Sequence, residues 1–331
     1  GGASSAAADS TTRGSPVGAA PTGNAAPQRS AGQEDMSAPA TDTGRTLFTS
    51  VLSDPTRPGA TVAGVAITAN AATAAQGTWE YSTDGGQNWS NVPTSGLSAT
   101  TALVLPQSAK LKFVPTANFN GQPGGLTTQV IDNTGFSDGV TPLYTDNGTA
   151  VYGSDLATAT AAQTVDLTAA GVGSSSVGSN SVVLTIPVTP VNDAPTVVAG
   201  KDTATLAAGA EDETTPPAAS VHDLFNPSFN DATDQQNATS NTTGSNANTL
   251  AGVAITGNTA NPATQGVWQY STDGTHWNTV STDVSASSAL VLSQGAQLRF
   301  DPVANFNGQP PGLTATLIDS SDNTTGAAAL Y

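Results

Sequence analysis

The chain has 331 residues, with 8 Lys and Arg against 25 Asp and Glu, and a formal net charge of -17. Nucleic-acid backbones and anionic membrane surfaces are gripped by clustered cations, and basic residues scattered from Arg13 to Arg299 make no such patch; nor does any apolar run near the roughly 20 residues that span a bilayer. The absence of cysteine excludes a disulfide scaffold, a thiol nucleophile and a thiolate metal site, while 34 Gly and 21 Pro among abundant Ala, Ser, Thr and Asn favour turn-rich β-structure over helix.

Residues 1–30 are mostly Gly, Ala, Ser, Pro and Thr without apolar alternation, the composition of a flexible linker or tail. From residue 31 onward the chain repeats itself. Ala63-Gly64-Val65-Ala66-Ile67-Thr68 returns at Ala251 to Thr256, and Trp79-Glu80-Tyr81-Ser82-Thr83-Asp84-Gly85 returns at Trp268 to Gly274. Leu111 to Gly121 returns at Leu298 to Gly308; upstream, Glu34-Asp35 returns at Glu211-Asp212 and Leu47-Phe48 at Leu224-Phe225. Self-similarity on this scale marks two copies of one domain, over 31–190 and 191–331, the second carrying a polar insertion around Asn237 to Asn248. Short alternating runs between turn residues read as the strands of a sandwich, and no long helix is expected. Copy one continues past Leu143-Tyr144 into the alternating strand Ser181 to Val188, which copy two lacks. The second sandwich is therefore expected to miss its last strand or strands, either because the chain is a piece of a longer one or because a partner supplies them.

Ser82-x-Asp84-x-Gly86-x-x-Trp89 resembles the Asp-box, a β-hairpin motif of sialidases and many other β-proteins, which implies a structural role for Asp84 and Trp89; Ser271 to Trp277 is a version one residue shorter. At the joint between copies, Val188-Thr189-Pro190-Val191-Asn192-Asp193-Ala194-Pro195 resembles the linker between tandem cadherin-like (VCBS-type) repeats of large bacterial adhesins. The same resemblance takes in the acidic pairs Glu34-Asp35 and Glu211-Asp212, the step Asp231-x-x-Asp234, and the hairpin Phe300-x-Pro302-x-x-x-Phe306-x-Gly308. It implies an all-β fold of two tandem Ig-like or cadherin-like β-sandwiches with Ca²⁺ as structural cofactor.

All but four of the acidic residues are Asp, a good turn former and a hard-oxygen calcium ligand. Gathered carboxylates repel one another unless a cation neutralises them. Glu34, Asp35, Asp193, Glu211, Asp212, Asp231 and Asp234 are accordingly the expected metal ligands, against the alternative that these acids only cap turns. Arg57 stands in copy one where copy two has Asp234, which weakens any site there. His222 and His276 have no counterparts in copy one and no Ser/His/Asp set, phosphate loop or metal-type His spacing accompanies them, so no enzyme is expected. The expected role is a spacer or adhesive stalk of a secreted, extracellular bacterial cell-surface protein, binding neighbouring repeats or a surface or matrix ligand, with no nucleic acid and no membrane insertion. The alternative is a self-assembling subunit of an extracellular filament, sheath or surface layer, in which a neighbour completes the open sandwich; a glycan-active enzyme is a third reading.

Overall fold

A computed structural model describes residues 22–23, 27, 32–36, 38–53, 59–133, 144–146, 149–151, 153–156, 159, 161–168, 177–235 and 248–321. Almost all of the linker expected over 1–30, nearly all of the insertion around 237–248, Asp54, Arg57 and Leu330-Tyr331 lie outside the described residues. The chain divides into two compact units, Gly1–Thr189 and Pro190–Tyr331, and each is an all-β sandwich whose described strands pair antiparallel, apart from the short parallel pair of Gly32–Gln33 with Val188–Thr189 in the first.

In the first unit the principal strands are β1 (Val62–Asn70), β2 (Gly77–Ser82), β3 (Ala102–Pro106), β4 (Lys110–Pro115), β5 (Leu126–Asp132), β6 (Gln163–Val165) and β7 (Val182–Leu184). One sheet runs β6-β3-β1-β5-β7; the other runs Asp42–Thr43, β4, β2, Ser90–Asn91. Val65, Ile67, Leu103 and Leu105 of the first sheet meet Trp79, Leu111 and Phe113 of the second in one apolar core. Trp79 is paired with Phe113 across the ladder, edge to face at 5.3 Å, and its Nε1 donates to the Gly124 carbonyl at 2.9 Å. Full burial of side chains of this size contributes about 1.5–3 kcal/mol each. The first sheet is buried on its other face too: Ala63, Ala66, Ala102, Val104 and Ile131 are covered by Leu156, Val165, Leu167 and Val177. That double burial explains why β1 and β3 are nearly continuous apolar runs rather than alternating ones. Pairing begins upstream of residue 31, since Thr22–Gly23 lies antiparallel to Leu52–Ser53.

The second unit repeats the plan with β8 (Ala218–Ser220), β9 (Leu250–Asn258), β10 (Gly266–Ser271), β11 (Leu290–Ser293), β12 (Gln297–Pro302) and β13 (Leu313–Asp319). Its sheets run β11-β9-β13 and β8-β12-β10-(Asn278–Thr279), and Trp268 meets Phe300 at 5.4 Å as Trp79 meets Phe113. The recurring Leu-Phe pairs sit on short helices. Gly44–Phe48 is capped by Thr43 Oγ1, which accepts from the Thr46 amide at 3.2 Å, and Val221–Phe225 by Ser220 Oγ, which accepts from Asp223 at 3.0 Å. Five strands in the first unit correspond to three in the second: among the described residues nothing stands where β6 and β7 would be. Leu126, Thr128 and Val130 of β5 are buried, whereas their counterparts Leu313, Ala315 and Leu317 on β13 are only half-buried.

Candidate functional site

The acids expected to form one set occupy two places. In the second unit, Thr196–Val197 pairs with Phe229–Asn230, which brings the segment entering the sandwich beside Asp231. Asp231 is buried and its Oδ2 accepts the Asn248 amide. Asn248 Nδ2 donates to Asn192 Oδ1 at 2.7 Å, and Asn192 Nδ2 donates to Asp319 Oδ2 at 3.2 Å and to the Asp193 carbonyl at 3.1 Å. Asp193 Oδ2 and Asp231 Oδ1 are shielded from solvent. Asn192 and Asn248 thus link the Asp193 carbonyl and the carboxylates of Asp231 and Asp319 into a patch of oxygen donors at the end of the sandwich where the chain enters. Sequence reasoning missed Asp319; the available signal was its repeat partner Asp132, which closes β5 as Asp319 closes β13. Asp234 lies on the 3-10 turn Ala232–Gln235, and its side chain is outside the described residues. Among the described residues no three His, Asp or Glu side chains stand in a metal-holding group.

Glu211 and Asp212 are not part of this patch. Asp212 Oδ1 accepts the Asn305 amide at 2.8 Å, and Glu211 Oε2 accepts from Asn307 Nδ2 at 3.4 Å. Asn305 to Asn307 lie in the turn that leads from β12 to the start of β13, where Leu313 pairs with Asn258; Asp319, at the other end of β13, pairs with Leu250. Seven residues at a rise of about 3.3 Å put roughly 20 Å between the two ends of β13. The first unit makes the same clamp: Asp35 Oδ1 accepts the Asn118 amide at 2.9 Å, and Glu34 accepts from Asn120 Nδ2 at 3.1 Å. Asp35, Asn118, Asp212 and Asn305 all adopt left-handed backbone, with φ of 57° to 61°, a conformation Asn and Asp tolerate best among residues with a Cβ. The acidic pairs thus satisfy amides in a strained turn. They differ in depth: Glu34 and Asn120 are buried, 2% and 0% exposed, while Glu211 and Asn307 are exposed.

The two Asp-box hairpins act as turn caps. Asp84 accepts amides of Gln87 and Asn88 at 2.9 and 3.0 Å, and Trp89 Nε1 donates back to the Gly86 carbonyl at 3.0 Å. The Asn88 amide, with help from Ser82 and the Asn88 side chain, holds the Asp84 carboxyl well below the usual range. In the second hairpin the amide of His276, then its ring, and the Thr275 amide do the same for Asp273. Lys112 stacks over Trp89 at 4.1 Å and Arg299 over Trp277 at 3.9 Å, closing each hairpin onto its sheet. His276 offers one nitrogen, Nδ1, to both Asp273 Oδ2 at 2.6 Å and Thr275 Oγ1 at 3.1 Å. Both contacts use the same ring nitrogen, whereas a Ser-His-Asp triad engages the two nitrogens with different groups. His222 Nδ1 sits 3.5 Å from its chain neighbour Asp223.

Comparison of the chain with protein-family models, curated proteins and solved structures finds no match.

Proposed function

We propose that the chain is a tandem β-sandwich spacer from a secreted bacterial surface protein, of the cadherin-like kind, whose second sandwich is stiffened by Ca²⁺ where the chain enters it. The observation that carries this reading is the linked patch of Asn192, Asp193, Asp231 and Asp319. Carboxylate and amide oxygens are the hard donors Ca²⁺ takes, and extracellular modules of this kind bind it at about 10⁻⁴ to 10⁻³ M. Asp231 and Asp319 would be the carboxylate ligands, with Asn192 supplying an amide oxygen and Asp193 its carbonyl. Bound there, the ion would tie the entering segment to the sandwich body. Glu34, Asp35, Glu211 and Asp212 serve as turn clamps in this reading.

Thermal melting in Ca²⁺ and in chelator tests it. At a hundredfold excess over Kd, linkage adds about 2.7 kcal/mol to the unit that holds the ion. For a domain of this size that is on the order of 5–10 °C in Tm. The rise is expected to vanish in Asp231→Asn and to persist in Asp212→Asn. A midpoint indifferent to Ca²⁺ overturns the metal, and a Ca²⁺ response abolished by Asp212→Asn places the ion elsewhere.

A further inference from the structure

The first unit sets the strand by which the chain enters it beside the strand by which the chain leaves it, and the two run the same way. Gly32–Gln33 lies parallel to Val188–Thr189. The Gly32 amide donates to the Pro187 carbonyl at 2.9 Å, the Glu34 amide to the Thr189 carbonyl at 3.1 Å, and Thr189 Oγ1 to the Gly32 carbonyl at 2.9 Å. A third segment grips both strands. Gly121 exchanges two backbone bonds with Val188, at 2.7 and 2.8 Å, while Asn118 and Asn120 of the same turn hold Asp35 and Glu34. Phe119, Ile186 and Val188 are buried in the main core, so the turn and the leaving strand are seated on the body of the sandwich.

Strand direction decides how such a joint carries tension. A pull along the chain draws the entering strand back toward its upstream end and the leaving strand forward past Thr189. On parallel neighbours these pulls oppose each other along one axis, so the strands must slide and all the bonds between them are loaded together. An antiparallel pair would be pulled from one end and would part bond by bond. A slide of one residue, about 3.3 Å, takes every bond of the joint beyond hydrogen-bonding range. It also drags the Glu34 carboxylate, 2% exposed, off Asn120. Leaving a buried charge without its donor makes that step costly.

We propose that the joint of residues 32–34, 118–121 and 187–189 is a shear clamp that keeps the first sandwich folded when the chain is under tension. This rests on the reading of the chain as a spacer, because a spacer between two anchored bodies is what tension crosses. The clamp is whole in the native state and broken at the barrier to forced unfolding, so what it contributes appears in the unfolding rate under load. Burial away from the joint, such as that of Val104 on the outer face of the first sheet, is undisturbed when the strands slide and appears in the equilibrium stability instead.

The chain has no cysteine, so Ser30→Cys and Pro190→Cys give the full chain unique handles just outside the joint, and optical tweezers at constant force read the unfolding rate of the first unit. Asn120→Ala should raise that rate about tenfold, and Thr189→Val, at an exposed position, about threefold. Val104→Ala should move it less than about twofold. The order reverses in thermal melting without load, where Val104→Ala, at a fully buried position, should lower the midpoint more than Thr189→Val does. A rate under load that is indifferent to Asn120→Ala and Thr189→Val, or that Val104→Ala raises as much as they do, overturns the clamp. That failure leaves the spacer and its ion standing, since Ca²⁺ melting tests them in the second unit, and a melt blind to Ca²⁺ leaves the outcome under load unchanged.

Discussion

Replacing Asn120 and Asn307 by Ala, one at a time, separates a turn clamp from a metal ligand set. In the first unit the Asn120 amide donates to a carboxylate that is 2% exposed. Removing a donor from a buried, charged acceptor leaves its desolvation uncompensated and costs about 1–3 kcal/mol. The Asn307 bond to Glu211 is longer, 3.4 Å, and both groups reach solvent, so water replaces the lost donor. Surface changes of that kind stay within about 0.5 kcal/mol. Hydrogen exchange read by mass spectrometry in a urea series reports each unit separately. The expected result is a loss of about 1–3 kcal/mol in the first unit for Asn120→Ala, a loss under about 0.5 kcal/mol in the second for Asn307→Ala, and the same values with Ca²⁺ or chelator. Equal losses would refute the assignment of burial as the deciding factor. A loss for Asn120→Ala that appeared only with Ca²⁺ would return Glu34 to the metal ligands.

The half-burial of the second core predicts a second asymmetry. Phe113→Ala removes a side chain that is 1% exposed and should cost about 3–5 kcal/mol in the first unit, whereas Phe300→Ala should cost about 1–2 kcal/mol less in the second, because a site open to solvent leaves no sealed cavity; equal costs in the same exchange experiment would mean that the second core is closed. A third prediction concerns acid. The carboxyls of Asp84 and Asp273 are depressed in the folded hairpins, so their stabilising effect is complete above the ordinary value of 3.8 and is lost only as pH falls below it. Carboxyl carbon shifts of the two residues should show no titration between pH 7 and 4; a midpoint at or above 3.8 for either would refute the capping geometry.

What could be read from the sequence is what repeats and what is local. Trp79 and Phe113 fall at matching places in both copies, and the structure pairs them directly across β2 and β4, as it pairs Trp268 with Phe300 across β10 and β12. The bonds inside the Ser82 to Trp89 hairpin span at most four residues and were legible from composition and spacing, whereas Lys110 Nζ, which donates to the Gly85 carbonyl at 2.8 Å, and Lys112 over Trp89 come from a distant strand. The Leu-Phe pairs were visible as repeats but not as helices: five residues hold too little periodicity to show a helix, and their caps, Thr43 and Ser220, are ordinary residues in a chain rich in Ser and Thr.

The acidic residues were the hard case, because an acid declares a charge and not a partner. Glu34 finds Asn120 at a separation of 86 residues, and Asp212 finds the Asn305 amide at 93. Asp319 joins the entry patch through Asn192 at 127. Nothing in local spacing separates the carboxylates that hold a turn from those that gather at the end of the sandwich. The separation comes from strand length: β13 runs about 20 Å from Leu313, which follows the clamp's turn, to Asp319 in the patch. One slip of that register would turn Leu313, Ala315 and Leu317 from the core to solvent, so the partly buried apolar face of β13 is what keeps the two groups of acids distinct.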